Sequence, residues 1–145
     1  MFLITLLSSF VDTNVNISGD TSVRVNGKQY RTIWPVPDNP ETIAVIDQRT
    51  LPYVFETQTL TNVEDAHYAI REMVVRGAGL IGATAGFGMH LAAATAPNAD
   101  FFDSLANAGT YLKTARPTAR DLAWAVDRVL ALIDSTVQPE TCLLY

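Results

Sequence analysis

The sequence is poor in cysteine, with Cys142 the only one among 145 residues. A lone cysteine allows no internal disulfide and no CxxC metal site, and it suits a reducing, cytoplasmic setting. Histidine is scarce too, and His67 and His90 lack the Cys or carboxylate spacing of a zinc site. They read as surface or half-buried helix positions. Positive charge is in deficit, with 10 Lys and Arg against 15 Asp and Glu and a net charge of −5. No basic run reverses that locally, which disfavours a nucleic-acid partner. No apolar stretch approaches the ~20 residues of a membrane-spanning helix, which disfavours a membrane one. Residues 1–10 are apolar but short and lack an opening basic residue. Residues 1–21 therefore read as a flexible N-terminal extension in preference to a secretory signal. What is present in quantity is apolar: 48% of residues are hydrophobic and 17% charged, a balance that suits one domain with its own core.

The first structured stretch is expected near Ser22. Val23-Arg24-Val25 and Tyr30-Arg31-Thr32-Ile33-Trp34 are β-prone runs around Asn26-Gly27, a pair that favours a type I′ hairpin. Pro35, Pro37 and Pro40 mark a loop. Thr42-Ile43-Ala44-Val45-Ile46-Asp47 predicts a third strand, and residues 51–60 a fourth of uncertain register. After Thr61 the apolar period changes to that of a helix. Thr61-Asn62-Val63-Glu64 has capping-box spacing, and Val63, Ala66, Ile70, Met73 and Val74 share one stripe. Arg76-Gly77-Ala78-Gly79 interrupts. A second helix over about 80–94 contains Gly82, Gly86 and Gly88, each costing roughly 1 kcal/mol against alanine. It makes sense only as a central, closely packed helix. Pro97-Asn98 closes it, and a third helix runs from Phe101 to Thr114. A fourth starts after Arg116-Pro117 with Thr118 as its cap, its stripe being Leu122, Ala125, Val126, Val129, Leu130 and Ile133. The fold class is α+β. A small antiparallel β-sheet over 22–60 precedes an α-helical bundle over 61–134, and an irregular tail follows at 135–145.

Two segments place an arginine directly before a helix. At Arg76-Gly77-Ala78-Gly79 the glycines let backbone approach a ligand, and the following helix offers unpaired N–H groups. A guanidinium beside a helix N-terminus suits a phosphate ester. Arg116-Pro117-Thr118 holds its arginine extended, with a hydroxyl two residues away. From physics alone, solvated or capping arginines remain the commoner explanation. Asp47-Gln48-Arg49 reads as a pair that stabilises a turn. No Ser-His-Asp or Cys-His set and no P-loop stands out.

Taken in order, three blocks resemble the methylthioribose-1-phosphate isomerase family. They are Ile46-Asp47-Gln48-Arg49-x-Leu51-Pro52, then Val75-Arg76-Gly77-Ala78-x-x-Ile81-Gly82, then Arg116-Pro117-Thr118-Ala119. Ala85, Gly88 and Met89 add support, as does Leu122-x-Trp124-Ala125-Val126-Asp127-Arg128. The likeness runs from about Val23 to Ile133. Its superfamily includes ribose-1,5-bisphosphate isomerases and regulatory subunits of a translation initiation factor complex. The resemblance implies a small sheet and helical bundle followed in the family by a Rossmann-like catalytic domain. It implies that Arg76, Gly77, Ala78 and Arg116 hold a sugar phosphate, and that aldose 1-phosphate becomes ketose 1-phosphate in methionine salvage. It also implies that no cofactor is needed and that the full-length form is a homodimer in the cytoplasm. The family assigns the chemistry to a cysteine and an aspartate in the second domain.

Two departures bear on this. Gly79-Leu80 stands where the family has Pro-Ala, which loosens the first helical turn, adds bulk and makes 5-deoxyribose 1-phosphate an alternative substrate. After Ile133 no family pattern continues, and Cys142 lacks the context of a catalytic cysteine. The chain is therefore expected to lack the catalytic residues and to be inactive alone. It is also expected to expose an apolar patch and self-associate. A non-catalytic sugar-phosphate-binding or assembly module is the alternative, and a non-functional gene fragment a third reading.

Overall fold

Asn26 and Gly27 take φ values of 50° and 80°, the left-handed pair that a two-residue type I′ turn requires. They join β1 (Val23–Val25) to β2 (Lys28–Tyr30), with Val25 opposite Lys28. The computed structural model describes residues 23–136. The expected extension at 1–21, most of the tail at 135–145, and Cys142 lie outside the described residues.

A second sheet, in the order β3-β4-β5, is built from β3 (Ile33–Val36), β4 (Asn39–Ile46) and β5 (Thr57–Leu60), all antiparallel. The run from Tyr30 to Trp34 is thus two strands in two sheets. Pro35 and Pro40 lie within strands and not in a loop. For Pro35 the reason is position: β3 is an edge strand, where a missing N–H is tolerated, and its register shifts between Pro35 and Val36. The strand expected over 51–60 survives only at its last four residues. Thr50 folds the rest into a turn. Its carbonyl accepts from the Tyr53 and Val54 N–H groups, and its hydroxyl donates to the Val54 and Asp47 carbonyls. Tyr30 packs between Trp34 and Phe55, with ring centroids 6.0 and 4.8 Å away, and so ties the hairpin to the sheet.

Four helices follow: α1 (Val63–Arg71), α2 (Ala78–Thr95), α3 (Phe101–Ala115) and α4 (Arg120–Thr136). The cap of α1 sits one residue later than the expected box. Asn62 accepts from the Asp65 N–H at 2.7 Å, and the Asp65 carboxylate reaches back to the Thr61 N–H and hydroxyl. A 3-10 turn at Asn98–Asp100 links α2 to α3.

Helix α2 is central, packing on α1, α3, α4 and the sheet. A Cβ on Gly82 would lie 3.1 Å from the Asp121 carbonyl oxygen, and one on Gly88 would lie 3.0 Å from the Ala66 Cβ. These two glycines are therefore where neighbouring helices come close. Gly86 differs: nothing lies within 4 Å of the place a Cβ would take. Ile43, Val45, Ile70, Met89, Leu112, Leu122 and Val126 anchor one continuous core between sheet and helices. The large exposed apolar side chains lie elsewhere than on α2, chiefly at Tyr53 and Trp124. Among the described residues no helix is long and apolar enough to cross a membrane.

Candidate functional site

Helix α1 stops early. Met73, which the periodicity placed on the buried stripe, turns out of the helix with φ 57° and is 39% exposed. Val74 and Val75 then bury completely. The Val75 N–H donates to the Ala69 carbonyl at 3.3 Å, and the Val74 carbonyl accepts from the Gln48 N–H at 2.9 Å. This anchored connector delivers Arg76, which is exposed and makes one long bond to the Met73 carbonyl. Gly77 follows at the N-cap of α2 with φ 91°, a conformation that side chains with a Cβ rarely adopt. The first intrahelical bond runs from the Ile81 N–H to the Gly77 carbonyl. No side chain caps α2, and its first turn holds no acid. Its leading N–H groups, beginning at Ala78, therefore have no side-chain partner two residues after an arginine in the chain, a pattern that suits an anion.

Arg116 occupies the elbow between α3 and α4. It is extended, with φ −149° and ψ 87°, as a residue before proline should be. The Ala119 N–H closes the elbow onto the Arg116 carbonyl, and the Ala119 carbonyl accepts from the Ala123 N–H. Ala119 thus holds the cap position expected of Thr118. Arg116 is half-buried and borders an open cavity of about 350 Å³ with Thr110, Lys113, Thr114, Pro117 and Leu122. Among the described residues neither Arg76 nor Arg116 enters an ion pair.

Close packing brings together the two helices that these segments lead. Gly82 is the fifth residue of α2 and Asp121 the second of α4, and they touch through backbone. Further along, Gly109 of α3 lies against both Met89 and Val126, so α2 and α4 run parallel and begin at the same end of the bundle. Their electropositive ends are neighbours. Asp121 partly answers the dipole of α4, which leaves the start of α2 as the more open of the two.

The Asp47 cluster is the pair read from the sequence, with an added partner. Asp47 is buried, and its carboxylate accepts from the Arg49 backbone N–H, Nε and Nη2 and from Gln58 Nε2. The hydrogen bonds from the Arg49 side chain hold its carboxyl below the usual carboxylate range, against the opposing effect of burial.

His67 and His90 are buried, contrary to the expectation of surface or half-buried positions. The His67 ring stacks on Tyr111 with centroids 4.2 Å apart. Its Nε2 lies 3.1 Å from the Thr114 hydroxyl, whose own proton goes to the Tyr111 carbonyl at 2.6 Å, so Nε2 is the donor. No local signal announces this contact, because Thr114 lies 47 positions along the chain. Among the described residues no group of three His, Cys, Asp or Glu side chains is placed to hold a metal.

Fold and site together define an α+β domain with an uncapped, cationic helix start at one end of its bundle. The chain is 48% identical over 118 residues to a methylthioribose-1-phosphate isomerase of Methylocella silvestris, covering 81% of this chain and 31% of that protein. It is 47% identical to one from Desulfatibacillum aliphaticivorans, covering 77% and 30%. The 5-methylthioribose 1-phosphate isomerase of Pyrococcus horikoshii OT3 superposes with a TM-score of 0.67 at 38% identity, over 72% of this chain and 30% of that one. Translation initiation factor eIF-2B, subunit delta, from A. fulgidus gives 0.63 at 32% identity, over 70% and 29%. No protein-family model matches the chain. The matched part of the chain belongs to the methylthioribose-1-phosphate isomerase family. The chain spans about 31% of the length of the curated relative from Methylocella.

Proposed function

We propose that this chain supplies the phosphate-holding part of an S-methyl-5-thioribose-1-phosphate isomerase, which converts an aldose 1-phosphate to a ketose 1-phosphate in methionine salvage. The observation that carries this is the open start of α2, led by Arg76 and lying against the start of α4, in a chain whose relatives bear that isomerase's name. Here the α2 backbone N–H groups and the Arg76 and Arg116 guanidinium groups take the phosphate oxygens, while Gly77 lets the backbone come close. Phosphate on the anomeric oxygen blocks simple ring opening. The reaction therefore needs an acid to open the ring and a group that moves hydrogen between neighbouring carbons. The described residues contain no cysteine, and turnover is assigned to a longer form with the length of the relatives. Binding without turnover is assigned to this chain.

Calorimetric titration with methylthioribose 1-phosphate tests this. Arg76→Gln and Arg116→Gln should each weaken binding by about tenfold or more, the value of a charge-assisted hydrogen bond. Arg128→Gln, outside the site, should leave it unchanged. A wild-type chain that binds no sugar phosphate, or two site variants that bind like wild type, defeats the proposal. Parallel titration with 5-deoxyribose 1-phosphate reports on Gly79 and Leu80. The likeness to the eIF-2B subunit favours an assembly module as the second reading. That reading predicts stable association with a homologous subunit and no ligand heat.

A further inference from the structure

We propose that Asp47 is a positioning residue for the anion site, its buried carboxylate holding the backbone that presents Arg76 and Gly77. The purpose assigned to it rests on the sugar-phosphate reading above; the clamp itself does not.

A carboxylate that is 2% exposed needs compensation for lost water. Asp47 receives four N–H donors: the Arg49 backbone and Nε at 3.0 Å each, Arg49 Nη2 at 2.7 Å, and Gln58 Nε2 at 2.7 Å. Its own N–H donates to the Glu56 carbonyl at 2.9 Å, and its carbonyl accepts from the Thr50 hydroxyl. One residue thereby ties the end of β4, the turn after it and β5 into a rigid block.

That block reaches the connector by two routes. The next residue, Gln48, donates its N–H to the Val74 carbonyl, two positions before Arg76. Arg49 lies over the Tyr68 ring at 5.9 Å, on the helix that leads into the connector. From the opposite side the Ala69 carbonyl takes the Val75 N–H. The peptide between Val74 and Val75 is thus gripped from both sides, just after the left-handed turn at Met73. Burial of Val74 and Val75 fixes where their side chains lie. Directional bonds are what fix the peptide plane, and with it the direction in which Arg76 and Gly77 leave the clamp. A neutral amide at position 47 keeps the volume. It leaves Arg49 without a counter-charge and one acceptor oxygen where two served.

The test compares the full 145-residue chain with Asp47→Asn and Arg49→Lys, using amide hydrogen exchange and titration with inorganic phosphate followed through the Gly77, Ala78 and Gly79 amide resonances. In Asp47→Asn the Gln48 and Val75 amides should exchange about tenfold faster, while Leu112 and Val126 deep in the bundle keep their rates. Phosphate affinity should drop several-fold in the same variant. Arg49→Lys keeps the charge and loses the two-pronged contact, so it should move the same amides less far, and it serves if Asp47→Asn does not fold. Unchanged Gln48 and Val75 exchange overturns the clamp, as does an equal acceleration across the whole bundle. Faster local exchange with undiminished phosphate affinity overturns the positioning role. A wild-type chain that binds no phosphate removes the sugar-phosphate reading and the purpose assigned to Asp47, while the exchange rates still judge the clamp.

Discussion

Met73 shows how much of this site rests on single backbone conformations. With φ at 57° and no Cβ-free residue to ease it, the left-handed turn costs about 1–2 kcal/mol. Met73→Gly should therefore raise the urea midpoint, with a net gain of about 0.5–1 kcal/mol once the extra freedom of the unfolded chain is deducted. Gly77→Ala runs the other way. Nothing crowds its missing Cβ, so its expected loss of about 1–2 kcal/mol is purely conformational. Side-chain identity reveals the second of these and hides the first: Gly77 precedes a helix with another glycine nearby, whereas Met73 fits the apolar stripe of α1 and so reads as helical. The same holds for capping, where Thr61 and Glu64 have the right spacing but Asn62 and Asp65 make the bonds.

At the level of elements, two glycines of α2 predict opposite outcomes in one helix. Gly86→Ala adds helix propensity in open space and should stabilise by about 0.5–1 kcal/mol. Gly88→Ala pushes a methyl to 3.0 Å from Ala66 and 3.1 Å from Leu112, and should destabilise by about 1–3 kcal/mol less the gain in propensity. Thermal unfolding of the two variants side by side checks both. The glycine content revealed that α2 is central, but not which glycines are contacts, because that depends on partners far away in sequence. The helices were legible because long apolar stripes survive small errors at their ends. The strand expected over 51–60 was not, since neither of its faces is cleanly apolar and a hydroxyl at Thr50 decides the fold there. The arginines of the proposed site were legible as helix leaders. That the two helices they lead begin at the same end of the bundle was not, because it rests on the close approach of Gly82 to Asp121.

The whole molecule should lose stability toward acid in two stages. Burial, reinforced by Arg71, lowers the pKa of His67 below 6.5, so the folded state resists its protonation. A group depressed on folding contributes stability above its unfolded pKa and loses it as pH falls, so the first decline should begin below about 6.5. Asp47 is likewise depressed, from 3.8, so a second decline should begin below that value. Urea midpoints measured from pH 8 to 3 check the profile, and His67→Gln should abolish the first stage alone. The bundle also behaves as a pair of matched strides. The chain walks out along the 18 residues of α2 and back along the 15 of α3 before α4 can begin beside its starting point. Adding one residue to α3 alone would lengthen the return by about 1.5 Å and swing the elbow through about 100°. Arg116 would then be carried away from the end of the bundle at which α2 begins. The lengths of the two helices are therefore under the same constraint as the residues at their ends, and a change in one stride survives only with a compensating change in the other.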